Sequence, residues 1–376
     1  MTQTPNLKHR LLSLDVFRGI TVAAMILVNN PGDWGNIYAP LKHADWNGCT
    51  PTDLIFPFFL FIVGVSIVFA LSSKKEQPEN HQQLILSALK RSAILFGLGL
   101  FLSLFPYFDF TTVRILGVLQ RIAIVYFFCA VIFIKLDPKA YWKWFFGILV
   151  AYWAIMTLIP VPDIGYANLG KETNLGAWID RLILTENHIW KQSKTWDPEG
   201  ILSTLPAIGT GLFGLMIGGI LKRKDQAEAD KIAWIFSLGT IAVIIGLIWD
   251  LVFPINKSLW TSSYVMYAGG LAAIGLALCY WLIDVKGYTK FTSPFVVYGV
   301  NAITVFFASG LIPRILSLIK VNLNGEQVGA KVWLYETFYT PYLSPYNASL
   351  AGAITFILIW WFILWLMYRK NIIIKV

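Results

Sequence analysis

Apolar runs recur along the chain at a length of about 20 residues, the length that crosses a hydrocarbon core as a helix. They fall at 11–30, 53–72, 84–105, 113–135, 141–160, 201–221, 231–253, 262–284, 292–313 and 348–368. The pattern predicts an all-α polytopic membrane protein with about ten transmembrane helices. It reads as one domain over 1–376, with a polar external loop at 161–200. The segment Val332-Trp-Leu-Tyr-Glu-Thr-Phe-Tyr is amphiphilic but too short to span, and is expected as an eleventh, interfacial or re-entrant element.

Composition fits a chain whose solvent is mostly lipid, being 57% hydrophobic and only 14% charged. A net charge of +9 would suggest nucleic acid in a soluble protein. Here the basic residues cluster in short connections between apolar runs, so they report topology and no nucleic-acid partner is expected. An even number of spans puts both termini on one side. Most of the 30 lysines and arginines then share that side, among them Lys8, Arg10, Lys74, Lys75, Lys222, Arg223, Lys224 and Lys375. The positive-inside rule makes it cytoplasmic, so the expected place is the inner membrane with His43 external. Cys49, Cys129 and Cys279 lack CxxC or Cys/His ligand spacing, so neither a disulfide framework nor a metal site is expected. The first apolar run ends in Leu27-Val-Asn29-Asn30-Pro31 without a small-residue cleavage site and reads as a retained span.

The densest polar stretch is Tyr38-Ala-Pro-Leu-Lys-His43-Ala-Asp45-Trp46-Asn47-Gly48-Cys-Thr50-Pro51-Thr52-Asp53, wedged between two apolar runs. Ionisable or strongly polar residues within spans are costly and mark further candidates. Asp15 and Arg18 lie three apart on one helix face, the spacing of a mutual ion pair. Gln120 and Arg121 read as lying well inside the fourth span, where Arg121 either pairs with a buried carboxylate or faces a polar cavity. Asn301 reads as mid-span and suited to an interhelical hydrogen bond. Asp53 opens the second span, where a carboxylate complements a helix N-terminus and Thr50 or Thr52 can cap it. The 161–200 loop carries Trp178, Trp190, Trp196, Asp180 and Asp197; aromatic faces beside carboxylates suit a carbohydrate, and an interfacial aromatic belt explains them equally. Gly211, Gly214 and Gly218 in the sixth span have the spacing of close helix packing.

These residues together resemble the heparan-α-glucosaminide N-acetyltransferase family. The resemblance rests on Ser13-Leu-Asp15-Val-Phe17-Arg18-Gly19, Val28-Asn29, Lys42-His43-Ala44-Asp45-Trp46-Asn47-Gly48 with Asp53-Leu-Ile-Phe56-Pro57, and Arg114-Ile-Leu-Gly117-Val-Leu-Gln120-Arg121. Asn256-Lys257-Ser258-Leu259-Trp260 and Gly299-Val300-Asn301 agree more loosely. The resemblance implies transfer of the acetyl group of acetyl-CoA, from the cytoplasmic side, to the amine of a glucosamine-type sugar on the far side. It places the family's active-site histidine on His43 and its nearby asparagine on Asn29. It also implies that the extra N-terminal luminal domain and further span of the lysosomal members have no counterpart here.

Attack on a thioester needs an unprotonated amine, a proton acceptor and donors for the developing oxyanion. Histidine, with an ordinary pKa of about 6.5, accepts protons near neutrality. The expected catalytic set is therefore His43, Asn29 and Asp53, with Asp53 orienting His43 or binding the sugar ammonium. Asn47, Trp46 and Asp45 are expected at the acceptor, and Arg121, Gln120, Arg18 and Asn301 at the coenzyme. Direct transfer is favoured over an acetylated His43. A secondary transporter, or a membrane O-acyltransferase acting on polysaccharide or lipid, competes with this reading. On oligomeric state the sequence leaves a homodimer open.

Overall fold

A computed structural model describes residues 11–374; Lys8, Arg10 and Lys375 lie outside them. The helices are α1 (Leu12–Asn29), α2 (Ile55–Lys75), α3 (His81–Leu104), α4 (Val118–Lys135), α5 (Pro138–Leu158), α6 (Leu175–Leu184) and α7 (Thr204–Lys222). They continue as α8 (Glu228–Asp250), α9 (Ser262–Tyr280), α10 (Ser293–Val300), α11 (Ala302–Leu318), α12 (Ala330–Phe338) and α13 (Pro345–Arg369). A short antiparallel hairpin, β1 (Lys320–Leu323) with β2 (Glu326–Gly329), precedes α12. Among the described residues nine helices are long and apolar enough to cross a membrane, or ten if the bent α10–α11 pair is one span. The all-α polytopic architecture read from the hydropathy pattern is thus borne out.

Local chemistry sets the helix starts. Pro138 follows Asp137, whose carboxylate accepts from the Lys139 N–H, and Asn174 accepts from the Ala177 N–H to begin α6. Gly117 is fully extended, so α4 begins at Val118 and not near 113. That corrects the expected depth of Gln120 and Arg121, which lie in the first turn of the helix. The expected ninth span is also not continuous: α10 and α11 meet at Asn301 with a bend of 79°. The amphiphilic segment from Val332 falls mostly in α12, which at 9 residues is too short to span.

The chain divides into two compact units. The first holds the described residues up to His43, Thr50–Ile55 and those from Leu278 onward. In it α1 lies against α10 through two glycines: a Cβ on Gly19 would strike the Phe295 carbonyl, and one on Gly299 the Asp15 carbonyl. Val16, Ile283 and Val296 form the core beside them. Tyr298 Oη donates to the Ile357 carbonyl of α13 at 2.6 Å.

The second unit holds Ala44–Cys49 and Phe56–Ala277. Its axis is α7, buried along most of its length. Gly64 and Gly214 let the α2 and α7 backbones touch, since a Cβ on Gly64 would meet the Gly211 carbonyl and one on Gly214 the Phe61 carbonyl, while a Cβ on Gly211 would strike Cys129 of α4. The glycine spacing of the sixth span is therefore used for close packing.

Candidate active site

The histidine segment is shared between the units, His43 and Thr50–Asp53 belonging to the first and Ala44–Cys49 to the second. Thr50 caps a single 3-10 turn, Pro51–Leu54, that leads into α2. Its hydroxyl and backbone N–H both donate to Asp53 Oδ2, at 3.0 and 2.9 Å, closing a capping box. Thr50 Oγ1 also lies 2.7 Å from the Lys42 carbonyl, and Thr52 Oγ1 donates to the Pro40 carbonyl at 3.2 Å. Asp53 is thereby fixed in place with only 1% of its surface exposed.

Its other oxygen, Oδ1, lies 2.6 Å from His43 Nδ1. A buried carboxylate accepting from Nδ1–H selects the tautomer in which Nε2 keeps its lone pair. The His43 side chain is half exposed while its partner is sealed. The arrangement is that of a general base with an orienting carboxylate. Of the two roles expected for Asp53, its geometry favours orienting His43.

Asn29 is the last residue of α1 and is exposed, and among the described residues no hydrogen bond joins it to His43. Arg18 Nη1 donates to Asp15 Oδ1 at 2.9 Å and reaches the Gly299 carbonyl at 3.3 Å, the ion pair read from the three-residue spacing. Asn301 sits at the α10–α11 break, where its amide donates to the Ile372 carbonyl and accepts from the Ile374 N–H. Those bonds clamp the C-terminal segment to the bend.

In the second unit, Asn47 and Trp46 fasten the loop. Asn256 Nδ2 donates to Asn47 Oδ1 at 3.1 Å, and the Gly48 N–H donates to the Ile255 carbonyl at 2.7 Å. Gly48 has φ +103, a conformation glycine adopts without strain. Trp46 Nε1 donates to the Leu169 carbonyl, and its ring meets Trp196 edge-on at 5.1 Å. Asp45 is exposed, and among the described residues its carboxylate has no hydrogen bond.

Arg121 is 1% exposed. Its guanidinium donates to the Pro198 and Gly200 carbonyls and to Ser203 Oγ, and stacks over Trp260 at 5.1 Å. Gln120 beside it is 2% exposed, with Nε2 buried and without a hydrogen bond. Arg114, in the extended segment before α4, grips Asp197 through two nitrogens and Glu199 through one. Arg114 holds the Glu199 carboxyl below its ordinary range, against the upward push of burial. Asp180 is buried nearby, and desolvation pushes its carboxyl up to about 7.

Asp180 and Asp197 are thus both buried, at 3% and 4% exposed. Glu199 was not legible as a partner, since the arginine it meets lies 85 residues away in the chain. No group of three or more His, Cys, Asp or Glu side chains suited to a metal occurs among the described residues.

Fold and site together define a polytopic helical membrane protein with a carboxylate-held histidine at the mouth of one span. The family model for the heparan-alpha-glucosaminide N-acetyltransferase catalytic region matches residues 10–252. The chain is 32% identical to the mouse heparan-alpha-glucosaminide N-acetyltransferase over 350 residues, covering 79% of this chain and 53% of the mouse protein. It is also 32% identical to the human protein of that name over 352 residues, covering 80% of this chain and 52% of the human one. The chain belongs to this family, and spans about half the length of the curated relatives it matches.

Proposed function

We propose that the chain is a membrane acetyltransferase that moves the acetyl group of acetyl-CoA to the amine of a glucosamine-type sugar, with His43 as the general base. The observation that carries this reading is the 2.6 Å contact between half-exposed His43 and sealed Asp53. Family membership supplies the reaction class. The relatives are named for N-acetyl transfer to heparan α-glucosaminide; the acceptor here is taken to be an amino sugar of the same type.

The amine nitrogen attacks the thioester carbonyl carbon while its proton passes to His43 Nε2. The C–S bond then breaks, and the leaving thiolate takes up a proton to give the free thiol. Asp53 keeps the ring in the tautomer that can accept and stabilises the imidazolium that forms. The exposed Asn29 amide is the proposed donor to the oxyanion. Direct transfer is preferred to an acetylated His43, because a base held by its other nitrogen accomplishes the step without a stable acyl carrier. The coenzyme reaches the site from the lysine-rich side and the sugar from the other, with both termini cytoplasmic in an inner membrane.

Arg18 is committed to Asp15, and Arg121 to the loop carbonyls, so neither is assigned to the coenzyme phosphates here. The break at Asn301 is a feature that transporters also use, which keeps the transporter reading alive. The decisive experiment supplies purified protein with acetyl-CoA and a panel of amino sugars and their hydroxyl analogues, following thiol and acetylated product together. Equal release of thiol and N-acetyl sugar supports the reading. Acetylation of hydroxyls alone would make the protein an O-acyltransferase, and no reaction with any acceptor would favour transport.

A further inference from the structure

A cavity in the second unit has none of the residues of the histidine segment in its lining. It is a groove of about 1210 Å³ where α2 and α7 end and α5 begins. Its floor is the last part of α7, from Leu215 to Ile220, and its walls include Phe133, Trp142 and Trp234. At its mouth stand Lys75, Lys222, Arg223 and Lys224, against the single carboxylate of Glu76. Lys75 Nζ is held by the Leu136 carbonyl at 2.8 Å and lies over the Phe133 ring, and Lys222 Nζ reaches the Val68 carbonyl at 3.4 Å. Arg223 and Lys224 are exposed.

A cationic rim above an aromatic and aliphatic trough calls for an anionic head on a hydrocarbon tail. Coenzyme A meets the first demand but not the second, since its pantetheine arm carries amides along its length and the deep walls are apolar. The rim also sits at the lysine-rich ends of the spans, the side assigned to the cytoplasm, where anionic lipids attract basic segments. Indoles flanking such a trough suit the depth of lipid headgroups.

We propose that this groove binds an anionic phospholipid of that leaflet, through its phosphate at Lys222, Arg223 and Lys224 and its acyl chain along α7. The assignment is independent of the acetyl-transfer reading.

The test is native mass spectrometry of the purified full chain titrated with phosphatidylglycerol and with phosphatidylcholine of the same acyl chains. One phosphatidylglycerol should be retained preferentially. Each mouth cation removed should weaken it roughly fivefold, so Lys222→Gln, Arg223→Gln and Lys224→Gln combined should weaken it on the order of a hundredfold. Gly219→Phe provides a second route. A Cβ there meets nothing within 4 Å, so the side chain enters the groove without disturbing helix packing, and it should displace the lipid with all charges kept. Equal retention of the two lipids would overturn the proposal, as would undiminished binding in either variant. Stoichiometric displacement of phosphatidylglycerol by acetyl-CoA would reassign the groove to the coenzyme.

Discussion

Two regions of this protein bind a buried carboxylate to a nitrogen base, and they do so to opposite ends. In the first unit Asp53 is sealed while its partner His43 is half exposed, so one ring nitrogen is fixed and the other is left to the outside. In the second unit Arg114 closes on Asp197 and Glu199, and Arg121 closes on backbone carbonyls, leaving little of either guanidinium for a ligand. An arginine never deprotonates in a protein, so that cluster can hold a loop but cannot relay a proton. A histidine against a carboxylate can do both. Exposure of the partner separates the proposed site from the arginine clamp, although both are ionisable groups in costly positions.

The comparison breaks most visibly at Asp53. Replacing it by Asn frees the ring and its tautomer, and acetyl transfer should fall by about 10²–10⁴-fold. The capping box should weaken by about 1 kcal/mol, a small drop in melting temperature that the activity loss far exceeds. Transfer within a factor of a few of wild type, measured by thiol release, would show that His43 does not need its carboxylate.

The arginine cluster should respond the other way. Arg114→Met leaves two buried carboxylates unpaired and should cost about 3–5 kcal/mol of stability. Arg121→Gln should likewise lower the melting temperature, with acetyl-CoA affinity in the surviving folded fraction unchanged. A selective loss of coenzyme affinity in Arg121→Gln, at a retained melting temperature, would return Arg121 to the coenzyme site.

Asp180 provides the smallest and sharpest effect. Burial holds its folded carboxyl near 7, above the unfolded value of about 3.9. The folded state thus binds the extra proton, and that stabilisation is complete below the unfolded value and lost as pH rises through the folded one. Asp180→Asn keeps an acceptor for the Ile201 N–H, which Oδ1 now takes at 2.8 Å. The variant's melting temperature relative to wild type should therefore improve between about pH 4 and about pH 7. A difference that stays flat with pH would show that Asp180 is ionised throughout.

Much of this organisation was legible in the chain. Run length found the spans, because a helix crossing lipid has no other way to satisfy its backbone. The Thr50-Pro51-Thr52-Asp53 spacing announced the cap, and the three-residue spacing announced the Asp15–Arg18 pair. What hydropathy could not see was backbone direction. The stretch 113–116, apolar but for Arg114, extends the fourth run, yet it is extended chain whose Ile115 N–H bonds the His188 carbonyl. At Asn301 a single amide, bonded to backbone some seventy residues on, turns one apolar run into two helices. The partners of Arg114 lie 83 and 85 residues away, a distance no periodicity encodes. The hairpin around Asn324-Gly325 carried its turn signal, with φ of +53 and +95, but short polar flanks hid the strands.

The account rests on His43 as the group that takes the proton, and His43→Ala tests it most directly when turnover and coenzyme binding are measured on one preparation. The account predicts that acetyl transfer to glucosamine is abolished while acetyl-CoA affinity and melting temperature stay close to wild type. Transfer at the wild-type rate in His43→Ala would contradict it.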